Sequence, residues 1–463
     1  MSVVILARLM TPEDIGIFSV SVAIVAIAHQ IRDFGIASYI IQEKELTKRR
    51  FQSAFGVILV ISWVLAALIF LSRHLISEFY HKPEIASVLA IISMNFVLIP
   101  FGATLRAVLQ RNMMFGKMLI INISGAIAGS LTSIILAYNG FKYMSLAWGS
   151  LATITATVLV SFCFKDEITY FVPRFHEWRR VARIGTPMMF INILSTFSAQ
   201  VPELVIGKVL SFGSVGIYSR ARGQINLFNQ NILSSITAVS FPLLARKHRD
   251  GEPLGEAYLK IITHITGLSF PFYAGLGILC FPVTRVMFGG QWDAAIPLIQ
   301  ILCFAQAIGS ISPIHGDFLM VFGRVKLILK AEVFMQLVSI LLFVVTIPYG
   351  LEYAAASRIP LYLMMVIIYF FLINTLIELK LRDLLVALIP SLKVLLFSII
   401  GPLVVMNLIA VTPGNIWIHF ILGGGSLVVG WIIGVFLSNH PLKDELVSVW
   451  KYIKKTTDLV WKV

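Results

Sequence analysis

Charge is scarce in this sequence. Only 13% of its 463 residues are Asp, Glu, Lys or Arg, against about a quarter in a soluble globular protein, while 58% are hydrophobic and the mean hydropathy is +0.89. That balance excludes a soluble domain. Alternating segments of roughly ten residues are absent, which excludes a transmembrane barrel. Cysteine is nearly absent too. Cys163, Cys280 and Cys303 all lie in apolar segments with no CxxC pairing, so neither a disulfide framework nor a thiolate metal site is indicated. No GxSxG, HExxH or P-loop occurs. No polar stretch between apolar segments exceeds about 20 residues, which leaves no room for an appended catalytic domain. The chain is therefore expected not to be an enzyme, and no cofactor or metal is implied.

What the chain has is apolar runs of about 20 residues along its whole length, the mark of a polytopic helical membrane protein. The stretch Leu6 to Ser19, LARLMTPEDIGIFS, organises the rest. It reads as a tight hairpin between two membrane helices. Thr11 is placed to cap the second helix, Pro12 suits its first turn, and Glu13 and Asp14 lie at its positive end. Expected spans come next at 14–34, 54–72, 85–108, 118–138 and 143–164, then a polar linker at 165–180. Beyond it lie 183–210, 213–244, 258–282, 294–322, 327–347, 351–377, 385–411 and 414–437. The tail at 441–463 mixes Trp450, Ile453, Val460 and Trp461 with Lys451, Lys454, Lys455 and Lys462, as an amphipathic helix lying on a membrane surface does.

The net charge of +14 raises the question of nucleic acid, but the basic residues fall at segment ends rather than in one interleaved patch. Positive-inside asymmetry accounts for them. If the loop at 10–14 faces outward and loops alternate, most of the 37 basic residues fall on inward regions, among them Lys48, Arg49 and Arg50, Arg179, Arg180 and Arg183, Arg246, Lys247 and Arg249, and Arg324, Lys326 and Lys330. Outward edges hold few, such as Arg8, Lys82 and Lys208. The C-terminus is then cytoplasmic.

The opening hairpin recurs as GKVLSFGSVGIYS, Gly207 to Ser219, at an offset of 200: Arg8 meets Lys208, and Gly16, Ile17 and Ser19 meet Gly216, Ile217 and Ser219. MFGKMLI at 114–120 parallels VFGRVKL at 321–327, an offset of 207, and NGFKYMSLAWG at 139–149 parallels YGLEYAAASRI at 349–359, an offset of 210. Two six-helix units of one orientation are expected, an N-lobe at 1–164 and a C-lobe at 181–378, with two further helices at 379–440. The helix before the second hairpin begins near Arg183, so its counterpart would begin near residue −17, and roughly 17–20 residues of a first helix are expected to be missing. MSVVILARLM itself is too short to span and lacks the features of a signal peptide.

LARLMTPEDIGIFSVSVAI with RDFGIASYIIQ at 32–42 resembles the Wzx/WzxC-like polysaccharide flippases of the MOP superfamily. IGKVLSFGSVGIYSRA at 206–221, VSFPLLARK at 239–247 and FGGQWDAAIPL at 288–298 fit the same pattern in order. The resemblance implies an all-α, MATE-like fold of two six-helix lobes plus two helices, a fourteen-helix plan with helix 1 truncated. It also implies movement of an undecaprenyl-pyrophosphate-linked oligosaccharide across a bacterial inner membrane, with membrane lipids and a polysaccharide polymerase machinery as candidate partners. A MATE-type small-molecule exporter and a peptidoglycan-precursor flippase are the alternatives, and an enzyme of polysaccharide assembly is a third.

A flippase must shelter a pyrophosphate and sugars inside hydrocarbon, and ionisable residues within spans are costly and mark function. Ser219, Arg222, Asn226 and Asn229 fall at i, i+3, i+7 and i+10, one helical face. Arg222 is about 13 Å into its span, near mid-membrane. A guanidinium suits phosphate oxygens and amides suit sugar hydroxyls. Arg220 is a second cavity candidate, the alternative being that either arginine pairs inside one lobe. Gln200 and Glu203 lie near the outer end of the preceding span, Glu203 as ion-pair partner or proton acceptor and Lys208 at the interface. His29 is a cavity candidate beside a local Arg32–Asp33 pair, Arg358 a candidate anion site, and His315 with Asp317 either a proton-coupling pair or a satisfied contact at a helix break.

Overall fold

The computed structural model describes residues 2–33, 36–166, 169–175, 178–409, 412 and 414–460, without the side chains of 38, 178–192, 449, 452, 453 and 455–460. Arg179, Arg180 and Arg183 of the inward charge set, and Ile453, Lys455, Val460, Trp461 and Lys462 of the expected amphipathic tail, lie outside the described side chains, as do Phe34 and Gly35 of the RDFG motif. Among the described residues there are helices and no strands. They run α1 Ser2–Leu9, α2 Pro12–Asp33, α3 Ile36–Gln42, α4 Lys48–Tyr80, α5 Glu84–Arg111, α6 Phe115–Tyr138 and α7 Tyr143–Phe162. Next come α8 Trp178–Val209, α9 Phe212–Phe228, α10 Ser234–Arg249, α11 Leu254–Ile278, α12 Cys280–Met287, α13 Ile296–Gly309 and α14 His315–Val321. The last are α15 Val325–Thr346, α16 Leu351–Ala356, α17 Arg358–Ile377, α18 Leu381–Leu408, α19 Ile416–Leu437 and α20 Leu442–Val460. Eleven helical stretches among the described residues are long and apolar enough to cross a membrane. The expected spans at 183–210 and 213–244 appear as α8 and as α9 followed by α10, outside those eleven.

The chain divides into two compact units, Met1–Ser219 and Arg220–Val463. In the first, α2 packs on α8, α4 on α5, and α6 on α7. The Thr11 hydroxyl accepts from the Asp14 amide (3.2 Å) while the Asp14 carboxylate accepts from the Thr11 amide (3.1 Å), a reciprocal cap that starts α2 directly after the turn. Ser211 repeats half of this arrangement at the start of α9, accepting from the Ser214 amide at 3.1 Å.

The two hairpin copies cross each other inside this unit. A Cβ on Gly16 would lie 1.8 Å from the Phe212 carbonyl oxygen, and one on Gly216 would lie 1.9 Å from the Pro12 carbonyl oxygen. Under the offset of 200 these contacts are reciprocals, so the repeated glycines are where the two copies touch backbone to backbone. The Ser19 hydroxyl donates to Ser219 (3.4 Å), Tyr80 to the Leu204 carbonyl (3.2 Å), and Lys82 to Glu13 (2.6 Å). That last bond raises the Lys82 ammonium above the usual lysine range. Part of the stretch expected as a linker is also packed: Phe171 touches Phe51, Phe55, Phe101 and Phe162, and the Arg174 amide donates to the Gln52 carbonyl.

In the second unit α11 packs on α13 and α18, α13 on α17, and α18 on α19. Its core gathers Ile262, Phe318, Tyr369 and Ile373. Gly267 lets the ring of His440 approach α11, where a Cβ would lie 2.5 Å from it, and Ser391 joins that ring at 3.2 Å.

The structure corrects one register. Positions buried on α6 are Ile121, Gly125, Gly129, Ser133 and Ala137, and Ala331, Met335, Ser339, Phe343 and Ile347 are buried in the second copy. They match at an offset of 210, not at the 207 that aligns the two Phe-Gly pairs. Phe115-Gly116 lies inside α6, whereas Phe322-Gly323 lies in the turn before α15. The left-handed turn residue is Met113 (φ 54°) in the first copy and Gly323 (φ 68°) in the second.

Candidate functional site

The sequence of α9 alternates two stripes. Val215, Tyr218, Ala221, Ile225 and Phe228 form its buried face, each at most 4% exposed. Beside it run Ser219, Arg222 and Asn226, with Asn229 at the turn that follows, all half-buried. Gln224 falls off that face. It is buried and donates to Thr284 (3.3 Å).

Asn229 opens a π-helical turn, Asn229–Leu233, before α10 resumes. Tyr273 on α11 donates to its side-chain oxygen at 2.8 Å, which fixes the amide. A π turn inserts an extra residue and rotates the downstream helix about its axis, and such turns recur at functional sites. Here it brings three amides, Asn229, Gln230 and Asn231, into one turn, with Gln230 and Asn231 exposed.

Arg220 points elsewhere. Its guanidinium lies 5.6 Å from the ring of the fully buried Trp292 and 5.8 Å from Phe288, and its Nε is buried without a hydrogen-bond acceptor among the described residues. Both rings belong to the FGGQWD segment, which a bidentate Arg285–Asp293 pair closes (3.0 and 3.1 Å from Nε), and the Asp293 carboxylate holds Arg285 above its usual range. Two crevices border this part of the unit, about 470 Å³ along Tyr273, Phe304 and Leu395 and about 250 Å³ along Gln224, Phe272 and Leu427. Their walls are almost wholly apolar, so they fit hydrocarbon and not a sugar.

In the first unit, Glu203 is buried and Gln200 half-buried on α8, and Lys208 donates to the Phe79 carbonyl at 2.5 Å. His29 stacks on Phe96 (4.5 Å) and accepts from Arg32 (3.1 Å), and Arg32 pairs with the exposed Asp33. In the second unit, Arg358 donates to Ser339 (2.6 Å) and covers the face of Phe343.

His315 stands just past the break after α13, but the carboxylate it meets within 4 Å is Glu332, at 3.4 Å, and not Asp317. Tyr369 stacks on the imidazole at 3.7 Å and donates to Glu332 at 2.7 Å. The His315 Nδ1 donates to the Ser312 carbonyl (2.5 Å), which leaves Nε2 towards the carboxylate.

With this geometry in place, the comparison with known proteins decides the family. Residues 5–297, more than half of the chain, match the family described as polysaccharide biosynthesis protein. The chain belongs to that family. Among its relatives is the lipopolysaccharide biosynthesis protein WzxC of Escherichia coli (strain K12), 27% identical over 440 residues, 94% of this chain and 84% of that protein. The succinoglycan biosynthesis transport protein ExoT of Rhizobium meliloti (strain 1021) is 28% identical over 311 residues, 66% of this chain and 62% of that protein. Of solved structures, the lipid II flippase MurJ in an inward closed conformation superposes with TM-score 0.75 at 14% identity, covering 94% of this chain and 95% of its own. An inward-facing MATE multidrug transporter of the MOP superfamily gives 0.64 at 14% identity over 82% and 94%. The fold is thus the MurJ/MATE-like transporter fold, and this member of the polysaccharide biosynthesis family is a multi-pass membrane protein.

Two features of this family member escaped the sequence reading. The π turn leaves no mark in hydropathy. Glu332 and Tyr369 did carry a signal, a carboxylate and a phenol inside long apolar runs, which in hydrocarbon calls for a partner.

Proposed function

We propose that this protein is a flippase that carries undecaprenyl-pyrophosphate-linked oligosaccharide from the inner to the outer leaflet of a bacterial inner membrane by alternating access, for lipopolysaccharide or exopolysaccharide assembly. The observation that carries the reading is the half-buried pair Arg222 and Asn226 on α9, leading into a π turn rich in amides that opens with Asn229. Ionisable residues within membrane proteins are costly to keep and mark function, and an arginine on a polar stripe suits an anionic substrate. A planar guanidinium meets pyrophosphate oxygens in pairs, and the amides downstream both donate and accept, as sugar hydroxyls require.

In this reading Gln200, Glu203, His29 and Arg358 are further candidate substrate-binding residues. Arg220 acts as a positioning residue, braced on Trp292. The names of WzxC and ExoT, a biosynthesis and a transport protein of bacterial polysaccharides, support the substrate class. The excess of basic residues on inward regions supports a cytoplasmic C-terminus. Polymerase machinery is the candidate partner on the outer side. The lobes at 1–164 and 181–378 are proposed as the moving bodies.

The test is Arg222→Ala in a strain that depends on this gene for surface polysaccharide. Loss of polysaccharide at unchanged protein level is expected, with partial recovery in Arg222→Lys. Normal polysaccharide in Arg222→Ala would remove the assignment.

A further inference from the structure

The turn between α14 and α15 carries a basic surface that the proposed transport does not use. Arg324, Lys326 and Lys330 edge a cavity of about 720 Å³ whose far wall is Thr375 and Leu376, near the end of α17. All three cations are exposed, and none lies within ion-pair distance of a carboxylate among the described residues. Other basic residues expected on the same side do have acidic partners: Arg50 with Glu43, Arg246 with Asp250, Lys247 with Glu252.

The repeat supplies an internal control. At the structural offset of 210, the places of Arg324, Lys326 and Lys330 are held in the first copy by Met114, Gly116 and Ile120, all exposed and none charged. The first copy places its own cations of this stretch, Arg111 and Lys117, at other positions, so the arrangement of three exposed cations belongs to the second copy.

Beyond the lysines, the same face of α15 continues as Phe334, Leu337 and Leu341, all exposed. From Lys330 to Leu341 the helix rises about 16 Å, close to the hydrocarbon depth of one leaflet, about 15 Å. On α17, which packs on α15, Thr375 is preceded at helical spacing by the exposed Phe371 and Ile367. A cationic cavity followed by exposed apolar side chains over about the depth of one leaflet matches a lipid with a negative head. Free phosphate would use the cations alone and not the apolar side chains.

We propose that the cavity at the turn before α15 is a binding site for an anionic phospholipid of the inner leaflet, with its phosphate among Arg324, Lys326 and Lys330 and its acyl chains along the exposed Phe334, Leu337 and Phe371. The inference does not depend on the substrate carried, and Arg222→Ala is expected to leave it intact.

The experiment measures retention of phosphatidylglycerol against phosphatidylethanolamine of the same acyl composition on the purified full chain, by native mass spectrometry during detergent exchange. The wild type is expected to favour phosphatidylglycerol by about tenfold or more. The triple variant Arg324→Met, Lys326→Gln, Lys330→Ile is expected to bring the two lipids to parity. The charge-keeping variant Arg324→Lys, Lys326→Arg, Lys330→Arg is expected to preserve the preference. Should the triple variant not fold, Lys330→Ile alone is read, with a loss of about fivefold expected. No preference in the wild type, an undiminished preference in the charge-removing variant, or displacement of phosphatidylglycerol by millimolar inorganic pyrophosphate would each overturn the proposal, the last by showing that the cations serve a soluble or carried phosphate instead.

Discussion

In α6 and α7, missing side chains let two helices touch. A Cβ on Gly129 would fall 1.8 Å from the Thr153 hydroxyl and 2.8 Å from the Gly149 carbonyl, and one on Gly149 would fall 1.7 Å from the Ser133 hydroxyl. At the matching buried places α15 has Ser339 for Gly129 and Phe343 for Ser133. Ser339 is reached from α17 by the Arg358 guanidinium, which also covers Phe343. The returning helix of this second copy is divided into α16 and α17, and α15 meets α17 over a shorter length than α6 meets α7. One backbone repeat therefore closes in two ways: by small residues in close approach, as membrane helices commonly do, or by long side chains across a wider seam. The wider seam is where the second copy keeps its polar groups, His315 with Glu332 and Tyr369, and, at the basic end, Arg324, Lys326 and Lys330.

This contrast can be broken on either side. The largest effect is expected from Gly149→Leu, because its Cβ meets Ser133 and lies 2.9 Å from the backbone oxygen of Gly129. A loss of about 3 kcal/mol or more is expected, read as a fall in folded yield and melting temperature. Ile359, at the same place in the second copy, should accept Leu at a cost under about 1.5 kcal/mol. Equal damage at both sites would show that the two seams are packed alike.

Glu332→Leu comes next. It leaves the buried Tyr369 hydroxyl without its acceptor and His315 without its carboxylate, so a loss of about 1–3 kcal/mol is expected in thermal unfolding. The exposed Asn122 holds the corresponding place in the first copy, and Asn122→Leu should cost nothing measurable.

The smallest expected effect is on pH dependence, and it belongs to the second unit. Burial pushes the imidazole of His440, in the turn after α19, down to about 4, and the charge of His264 adds to this. The unfolded chain, titrating near 6.5, binds more protons than the folded one between those values. Stability should therefore be flat above pH 6.5 and decline as pH falls from 6.5 towards 4. His440→Gln should flatten that decline, and a melting curve series with unchanged slope would contradict the assignment.

The helical placement of the candidate residues was legible from spacing. The α9 stripe comes from residues three and four apart, and the cap at Thr11 from a Thr two residues before the first acid. Partners were less legible. Arg220 and Arg222 differ by two positions and point to different surroundings, one on Trp292 and one on the polar stripe. His315 has an acid two residues away in sequence, yet meets one seventeen residues away, because residues two apart on a helix face different ways. The short helix α3 lay outside every expected span, and the spans expected at 258–282 and 294–322 are each broken into two helices, since seven or eight residues are too few to display a helical period of their own.

By itself the sequence determined that this is a helical membrane protein built on a duplicated hairpin, and that its second copy carries arginine and amides on one face. Hydropathy and periodicity are one-dimensional, and a bilayer leaves a chain of this composition few choices. Only the tertiary structure decided the register between copies, the reciprocal contact of Gly16 with Phe212 and Gly216 with Pro12, and which acid His315 meets. It alone brought the cations of the α15 turn to one cavity with the end of α17. These depend on which helix face meets which neighbour, and a shift of three residues, invisible in a motif match, turns a helix by about 60° away from its former face.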